Sequence, residues 1–406
     1  MTTLVCYACG ATAPLGERKR CSCGEPLWVE TDASDFSWPD GPLRGVWRYS
    51  DLLPVSATSG VAAAAGGTPL VRTPALDEFV GCRLYCKDES ENPTGTFKDR
   101  GSAVGVAWAE ANDREWVGTV SHGNMAISTA AHAAGAGLNA LVLVPEDVPA
   151  PRLAAIGQYD PEILRVSGDY GRLYYETLAT ESPVEFVNSD TPLRVAGQKT
   201  TALEICEAFT RGAREARSEL LGEQLAPDAI VLPTSSGGHA SAAWKALREL
   251  REAGLLDAES VPRLYLVQAA ACDPIATAFR EGADEVSPVE GGETIAYSIA
   301  NADPPSGTRA LAAVRDTDGA VVSVPDDDIR LAKRRLATEA GFCVEAASAT
   351  AFAGIRRLTD AGELAADDSV VAVVTGTGFR ELDADSTATE LVELADLSER
   401  LDAVTE

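Results

Sequence analysis

Residues Glu91–Gly101 read Glu-Asn-Pro-Thr-Gly-Thr-Phe-Lys-Asp-Arg-Gly and place one lysine, Lys98, directly after a tight turn. The apolar run Arg83–Lys87 before this stretch favours a strand, and the small residues of Ser102–Ala111 after it favour a helix. We therefore expect Lys98 at a junction between strand and helix, where α/β folds place their chemistry. A lysine desolvated there has a lowered pKa, and its free amine can form a Schiff base with pyridoxal phosphate.

Lysine is scarce in this chain, with six lysines among 34 basic residues. An ordinary surface lysine beside a turn is the alternative interpretation of Lys98. The local residues leave the two interpretations open.

Short apolar runs alternate with helix-period runs along most of the chain. Strand-like runs separated by helices indicate parallel strands that are buried on both faces. The predicted fold class is therefore α/β and doubly wound. The strand-like runs are Trp116–Val120, Ala140–Val144, Ile163–Val166, Val184–Val187, Ala229–Leu232, Leu264–Val267, Val321–Val324 and Val370–Val374. The main helix-like runs are Met125–Ala134, Leu203–Leu220, Ser241–Ala253 and Asp327–Ala340.

The segment around Lys98 resembles the Schiff-base lysine motif of the tryptophan-synthase-β-like, fold type II pyridoxal-phosphate enzymes, and within them the threonine synthase branch. The resemblance runs from the N-terminus to about residue 382. It implies two doubly wound domains with pyridoxal 5'-phosphate between them. The implied ranges are a zinc-ribbon-like unit at 1–30, a large cofactor domain at 31–101 and 196–382, an inserted small domain at 102–195, and an acidic tail at 383–406.

A second segment, Ser121–Met125, lies between a predicted strand and a predicted helix. A Gly-Asn turn that opens a helix presents backbone N–H groups to an anion, although a plain turn with Asn124 as N-cap explains the same residues. The segment resembles the family's asparagine loop. That resemblance implies that Asn124 binds the cofactor, while Ser121, His122 and Met125 lie at the substrate carboxylate. His122 and Met125 depart from the residues typical of the family.

Two further loops resemble cofactor-binding segments of the family. Small residues before a helix let the backbone approach a phosphate, and the helix N-terminus favours negative charge. The loop residues that the resemblance assigns to the cofactor phosphate are Ser235, Ser236, Gly237, Gly238 and His239, the histidine being a departure from the usual pattern. Thr375, after the last strand-like run, resembles the family's hydroxyl partner of the pyridine nitrogen.

The segment Asn188–Arg194, continued by Gly197-Gln198, resembles the part of the threonine synthase branch that holds the substrate's phosphate. Arginine suits bidentate recognition of phosphate. The resemblance implies that Asn188, Ser189 and Arg194 contact this group. The segment Val344–Ala349 matches a helix-opening stretch near the active site, and we assign it no catalytic role.

The activity implied is conversion of O-phospho-L-homoserine and water to L-threonine and phosphate, with Lys98 bound to the cofactor as an internal aldimine. Two alternatives share the fold: a serine/threonine dehydratase and a β-replacement enzyme that uses phosphoserine. A non-catalytic binding protein is a third, although the presence of Lys98, Asn124 and Thr375 argues against it. Hydrolase chemistry is discounted because the sequence contains no nucleophile elbow.

Four of the nine cysteines cluster near the N-terminus as Cys6-x-x-Cys9 and Cys21-x-Cys23. Four thiolates can close a tetrahedral zinc site, although the second pair has one residue fewer between its cysteines than the usual spacing. We expect a structural zinc ion, the alternative being a ribbon that has lost its metal. The other five cysteines are expected to be small buried apolar residues.

A net charge of −28, from 62 acidic and 34 basic residues, predicts repulsion from nucleic acid and from anionic membranes. The dispersed acids favour adaptation to high salt, a merely acidic protein being the alternative. We expect a cytoplasmic protein without a membrane span, because neither a long apolar run nor a secretory pattern occurs. The expected partners are an amino-acid substrate and a second copy of the chain in a homodimer.

Overall fold

The structure is a computed structural model that describes residues 2–41, 44–56, 58–168, 170–180, 182–214, 224–381 and 390–405. Its strands form three sheets of three, six and four strands. The two larger sheets are built mainly from parallel strands and alternate with helices along the chain. This confirms the α/β prediction with two doubly wound units. No helix in these ranges is long and apolar enough to cross a membrane.

The six-stranded sheet forms the centre of the larger unit. Its spatial order is β12-β11-β10-β13-β5-β4, and only the edge strand β4 runs antiparallel to its neighbour. The strands are β4 (Leu70–Arg72), β5 (Arg83–Asp88), β10 (Ala229–Pro233), β11 (Arg263–Ala269), β12 (Val321–Val324) and β13 (Ser369–Val374).

The four-stranded sheet is wholly parallel, with the order β8-β7-β6-β9. Its strands are β6 (Trp116–Val120), β7 (Asn139–Pro145), β8 (Glu162–Val166) and β9 (Val184–Phe186). All four fall within residues 102–195, the range expected for the inserted domain. Both expected boundaries of that range lie inside helices, since one helix spans Lys98–Ala111 and another Pro192–Gln198.

The α-helices, in chain order, are α1 (Asp77–Val80), α2 (Lys98–Ala111), α3 (Asn124–Ala136), α4 (Ala150–Gly157), α5 (Tyr170–Ala179), α6 (Pro192–Gln198), α7 (Thr200–Arg214), α8 (Gly238–Glu252), α9 (Pro274–Glu281), α10 (Gly307–Asp316), α11 (Asp326–Ala340), α12 (Ala346–Asp360) and α13 (Leu397–Thr405). The predicted helix over 203–220 corresponds to α7. Its last predicted residues lie outside the described ranges, as do 382–389 at the start of the acidic tail.

The core of the larger unit is divided by its sheet into two apolar layers. On β10, Ile230 and Leu232 point into the layer that contains Leu247 of α8. The alternate residues of the same strand point into the opposite layer, which contains Phe352 of α12. Because side chains alternate between the faces of a strand, helices on both sides bury an unbroken apolar run. This is why the strand-like runs were recognisable in the sequence.

The N-terminal unit is a three-stranded antiparallel sheet in the order β2-β1-β3. Its strands are β1 (Thr3–Cys6), β2 (Thr12–Pro14) and β3 (Leu27–Val29). The segment that follows this unit contains 3₁₀ helices over Gly45–Leu52 and Gly60–Ala64. The Trp47 indole there is buried and donates a hydrogen bond to the carbonyl of Ala62 at 2.8 Å.

Candidate active site

A cavity of about 440 Å³ opens beside the carboxyl ends of strands from both larger sheets. Its walls come from the residues that follow β6, β10 and β13 and from the first residue of α2. Twelve of the fourteen residues predicted for the cofactor and substrate line it: Lys98, Ser121, His122, Asn124, Met125, Ser189, Ser235, Ser236, Gly237, Gly238, His239 and Thr375. The other two, Asn188 and Arg194, do not.

Lys98 is the first residue of α2, and hydrogen bonds fix the turn before it. The backbone N–H of Phe97 and the hydroxyl of Thr96 both donate to the carbonyl of Thr375, each at 3.0 Å. In the first turn of the helix, the Asp99 carboxylate accepts two hydrogen bonds of 2.6 Å from Thr94. The lysine side chain therefore projects from a fixed point beside the end of β13.

The amine of Lys98 differs from those of the other five lysines. Each of the others pairs with a carboxylate within 4.0 Å: Lys19, Lys87, Lys199, Lys245 and Lys333. Among the residues that the structure describes, Lys98 has no such partner, and its amine lies 4.1 Å from the centre of the Phe97 ring. Burial, assisted by the charge of Arg194, lowers its pKa to about 7, whereas Glu345 acts in the opposite direction. A large fraction of this amine is thus uncharged and nucleophilic at neutral pH.

Asn124 is the first residue of α3, directly after the Ser-His-Gly turn. Gly123 occupies the N-cap position, which excludes the simple interpretation of Asn124 as the N-cap. The Nδ2 of Asn124 donates to Glu345 Oε2 at 2.7 Å, and its Oδ1 accepts from Arg380 at 2.9 Å. These two bonds fix the amide plane at the cavity wall.

The glycine loop after β10 brings its backbone close to two other segments. Gly237 has φ +83°, and a Cβ at this position would lie 2.4 Å from the carbonyl oxygen of Ser306. A Cβ on Gly238 would lie 2.3 Å from the carbonyl oxygen of Ser189. Only glycine fits at these positions. The loop opens the 15-residue helix α8, and the N–H groups at a helix N-terminus form a cradle suited to phosphate.

His239 completes this loop as a neutral ring. It stacks on Phe97 with a centroid distance of 4.2 Å, and its Nε2 lies 3.2 Å from Thr201 Oγ1. Burial, with smaller effects from Lys98 and Arg100, lowers its pKa to about 3. Its Nδ1 is buried without a partner in the described part of the chain. A phosphate in the neighbouring cradle would supply the missing partner, so these residues fit the phosphate group of pyridoxal phosphate.

Thr375 follows β13, the strand that flanks β10 on the side opposite β11, and lines the cavity. Its hydroxyl lies 2.9 Å from Ser348 Oγ and 3.2 Å from Glu345 Oε1. The hydroxyl is thus already part of a hydrogen-bonded network at the cavity wall.

Asn188 and Arg194 are fully buried behind the cavity wall rather than in it. The Arg194 guanidinium donates to the carbonyls of Val187 at 2.9 Å and Lys98 at 3.1 Å, and also to the hydroxyls of Ser102 and Thr129. Asn188 accepts the backbone N–H of Val120 at 2.8 Å. This arrangement does not support the predicted contact of these two side chains with a substrate phosphate, because their polar groups are engaged in joining α2, α3 and β6.

Sequence reasoning gave no role to several residues of the cavity. The most notable is Glu345, whose carboxyl group contacts two of the predicted site residues. Burial and the charge of Glu381 raise its pKa to about 7. Its position before a helix of small residues was visible in the sequence, but its partners were not. The other cavity residues to which the sequence gave no role include the aromatic residues Tyr174, Tyr175 and Tyr297.

The sulfur atoms of Cys6, Cys9, Cys21 and Cys23 all lie within 4.8 Å of one another. Three of the separations are 3.5, 3.6 and 3.8 Å. Tetrahedral zinc with Zn–S distances of about 2.3 Å places its sulfur ligands roughly 3.8 Å apart. The cluster therefore fits a zinc ion, despite the short Cys21-x-Cys23 spacing.

The comparison with known proteins agrees with this geometry. The family model for pyridoxal-phosphate dependent enzymes matches residues 61–376, and the chain belongs to this family. It is 35% identical over 397 residues to the threonine synthase of Methanocaldococcus jannaschii, which covers 95% of this chain and 94% of the relative. It is 34% identical over 362 residues to the threonine synthase of Mycobacterium tuberculosis, covering 88% and 93% of the two chains.

Solved structures of the same fold include maize serine racemase and the processed form of threonine deaminase isoform 2 from Solanum lycopersicum. The first has a TM-score of 0.62 and 22% identity, and the match covers 83% of this chain and 92% of the racemase. The second has a TM-score of 0.62 and 17% identity, with 89% and 95% of the two chains covered. These similarities concern the fold, and they confirm the fold type II architecture expected from the sequence.

Proposed function

We propose that this protein is a threonine synthase that converts O-phospho-L-homoserine and water to L-threonine and phosphate. The observation that carries the proposal is the unpaired amine of Lys98 in a cavity that also presents a phosphate cradle, in a chain whose curated relatives are threonine synthases over nearly its full length. Pyridoxal 5'-phosphate, when bound, supplies the carbonyl group that the amine attacks and a ring that accepts electrons from the substrate.

The cofactor is assigned to residues on three sides of the cavity. Lys98 provides the covalent attachment, and the loop Ser235–His239 holds the phosphate through backbone N–H groups and the buried Nδ1 of His239. Asn124 has a second Nδ2 hydrogen available for the ring hydroxyl, since only one is used by Glu345. The Thr375 hydroxyl is assigned as the hydrogen-bond partner of the ring nitrogen.

Lys98 also moves protons during the reaction. With pyridoxal 5'-phosphate and substrate bound, the Lys98 amine would take and return protons at the α and β carbons of the substrate. Its pKa of about 7 suits both steps, because the neutral and charged forms are then similarly populated. Phosphate leaves from the γ carbon, and water adds at the β carbon.

The substrate is assigned to the part of the cavity formed by Ser121, His122, Met125 and Ser189. Backbone N–H groups at the start of α3 favour the substrate carboxylate. Asn188 and Arg194 are assigned a supporting role, in which they fix the Ser189 loop and the start of α2 from behind.

A serine/threonine dehydratase is the second candidate. The observation that favours it is the lack of an arginine among the described residues that line the cavity, although the proposed substrate carries a phosphate. A phosphoserine β-replacement enzyme would also have to bind a substrate phosphate. The lack of an arginine in the described cavity lining therefore does not favour that activity.

A substrate screen separates these activities. Purified protein loaded with pyridoxal 5'-phosphate would be given O-phospho-L-homoserine, L-serine, L-threonine or O-phospho-L-serine in high salt. The proposal predicts equal amounts of threonine and phosphate from the first compound. Release of 2-oxo acid from serine or threonine, with O-phospho-L-homoserine unused, would establish the dehydratase.

The proposal also covers the metal site, the domain organisation, the oligomeric state and the cellular setting of the protein. We propose that the four N-terminal cysteines hold one structural zinc ion and that residues 102–195 form the inserted small domain. We also propose a cytoplasmic homodimer adapted to high salt. The charge of −28 supports the salt adaptation, because dispersed carboxylates keep a protein soluble where salt screens weaker charge.

A further inference from the structure

Glu345 occupies a central position between two of the proposed cofactor residues. It precedes α12, lines the cavity, and is buried. One carboxyl oxygen lies 2.7 Å from Asn124 Nδ2, and the other lies 3.2 Å from Thr375 Oγ1. The two site residues are more than 200 positions apart in the chain, and this single side chain joins them.

The direction of the first hydrogen bond is fixed. Arg380 has only donors, so the Asn124 oxygen must face it, and the Asn124 NH₂ group must face Glu345. This carboxyl oxygen therefore always accepts. The oxygen that faces Thr375 has no such restriction.

The second hydrogen bond depends on the proton of Glu345. An ionised carboxylate is an acceptor only, so it draws the Thr375 hydroxyl hydrogen toward itself. The Thr375 oxygen then offers lone pairs to the cavity. A protonated Glu345 can instead donate to that oxygen, and the Thr375 hydrogen then turns either to Ser348 Oγ at 2.9 Å or into the cavity, where a ring nitrogen would accept it.

We propose that Glu345 is a positioning residue that decides, through the Thr375 hydroxyl, whether the cofactor's ring nitrogen meets a hydrogen-bond donor or an acceptor. The inference rests on the proposed function, since it takes Thr375 as the neighbour of that nitrogen. A donor on the nitrogen makes the ring a stronger electron acceptor, so Glu345 sets the readiness of the cofactor to accept electrons from the substrate.

The charged groups around Glu345 place its titration within the neutral range. Its pKa is raised to about 7 by burial and by Glu381, against the effects of Asn124, Lys98 and Thr375. The charged and titratable groups that face this region are Lys98 of α2, Tyr297 of the cavity lining, Arg380 and Glu381 after β13, and Lys333 of α11, which pairs with Glu381 at 3.6 Å.

The substitution Glu345→Gln fixes one of the two states. The Asn124 NH₂ group requires the glutamine oxygen, so the glutamine NH₂ group must face Thr375 and donate to it. The variant therefore imitates the protonated acid at every pH.

The test is nitrogen NMR of the holoenzyme loaded with pyridoxal 5'-phosphate labelled with ¹⁵N in the ring. In the unsubstituted protein, the ring-nitrogen resonance should move upfield in one transition centred near pH 7 as the pH falls. In Glu345→Gln, the resonance should stay at its low-pH position from about pH 6 to about pH 8. An unchanged transition in this variant, or no transition in the unsubstituted protein, would overturn the inference.

Glu381→Gln is the matched control. It removes a neighbouring carboxylate but touches neither Thr375 nor Asn124, so the transition should persist at a lower pH. If Glu345→Gln fails to fold, an unshifted transition in Glu381→Gln still contradicts the inference. Threonine and phosphate release is measured on the same samples. If threonine and phosphate are released but the ring-nitrogen resonance does not shift with pH, only the role of Glu345 is rejected. If the resonance shifts but no threonine or phosphate is released, only the proposed activity is rejected.

Discussion

Nη1 of Arg194 donates a hydrogen bond to the backbone carbonyl of Lys98 at 3.1 Å. The guanidinium is fully buried, and its other hydrogen bonds go to Val187, Ser102 and Thr129. The arginine thus holds the residue that carries the nucleophilic amine, from the side away from the cavity.

We predict that Arg194→Ala lowers thermal stability, weakens cofactor binding and reduces kcat together. Each charged hydrogen bond lost from a buried site costs about 1.5–3 kcal/mol, so the melting temperature should fall by several degrees. Differential scanning fluorimetry, a cofactor titration and steady-state kinetics are the measurements. A raised KM for O-phospho-L-homoserine, with stability and cofactor affinity unchanged, would instead indicate a direct phosphate contact.

Lys98 should make the stability of the cofactor-free protein depend on pH. Its pKa is about 7 when folded and 10.5 ordinarily, so between these values the unfolded chain binds more protons and stability rises with pH. Lys98→Met has no such group. Its melting temperature should exceed that of the unsubstituted protein near pH 7, and the difference should shrink toward about pH 9. A constant difference across this range would mean that the amine is not desolvated.

The cysteine cluster should carry about one zinc ion per chain. Replacing both Cys6 and Cys9 by serine should remove the zinc and lower the melting temperature. Turnover should survive in part, because none of the four cysteines lines the cavity. Cys343→Ser, which changes a cysteine outside the cluster, should keep the metal. Elemental analysis of protein purified without chelator decides the matter, and a metal-free result would show a degenerate ribbon.

The charge of −28 predicts that salt stabilises the fold. Screening reduces repulsion among the 62 acidic residues, so the melting temperature should rise as potassium chloride is added from low ionic strength. Sucrose at matched osmolality serves as the uncharged control and should have a smaller effect. A melting temperature that stays flat or falls with added salt would contradict the adaptation to high salt.

Much of the fold was predictable because its strands are buried on both faces and therefore appear as unbroken apolar runs. The run Val370–Val374, for example, corresponds to β13, which covers Ser369–Val374. The loops that line the cavity were predictable for a related reason. They follow these strands directly, and parallel strands end at one edge of a sheet.

The placement of Arg194 was not predictable, because a linear motif does not give the direction of a side chain. Helices α2 and α6 pack with their backbones close together, since a Cβ on Gly197 would lie 2.1 Å from the carbonyl oxygen of Arg100. This packing directs Arg194 along α2 and away from the cavity. Glu345 was missed for another reason, because its chemistry depends on Asn124 and Thr375, which only the fold brings to it.

The central claim is that Lys98 is the amine that binds pyridoxal 5'-phosphate. Borohydride reduction of the cofactor-loaded protein, followed by peptide mapping, tests it most directly. We predict one pyridoxyl group per chain on Lys98, and a Lys98→Ala variant that folds but neither retains the label nor turns over substrate. Lys87 and Lys199 are also buried, but both are paired with carboxylates at 2.7 Å. A pyridoxyl group on either of them, with Lys98 unmodified, would contradict the assignment of Lys98 as the cofactor-binding lysine.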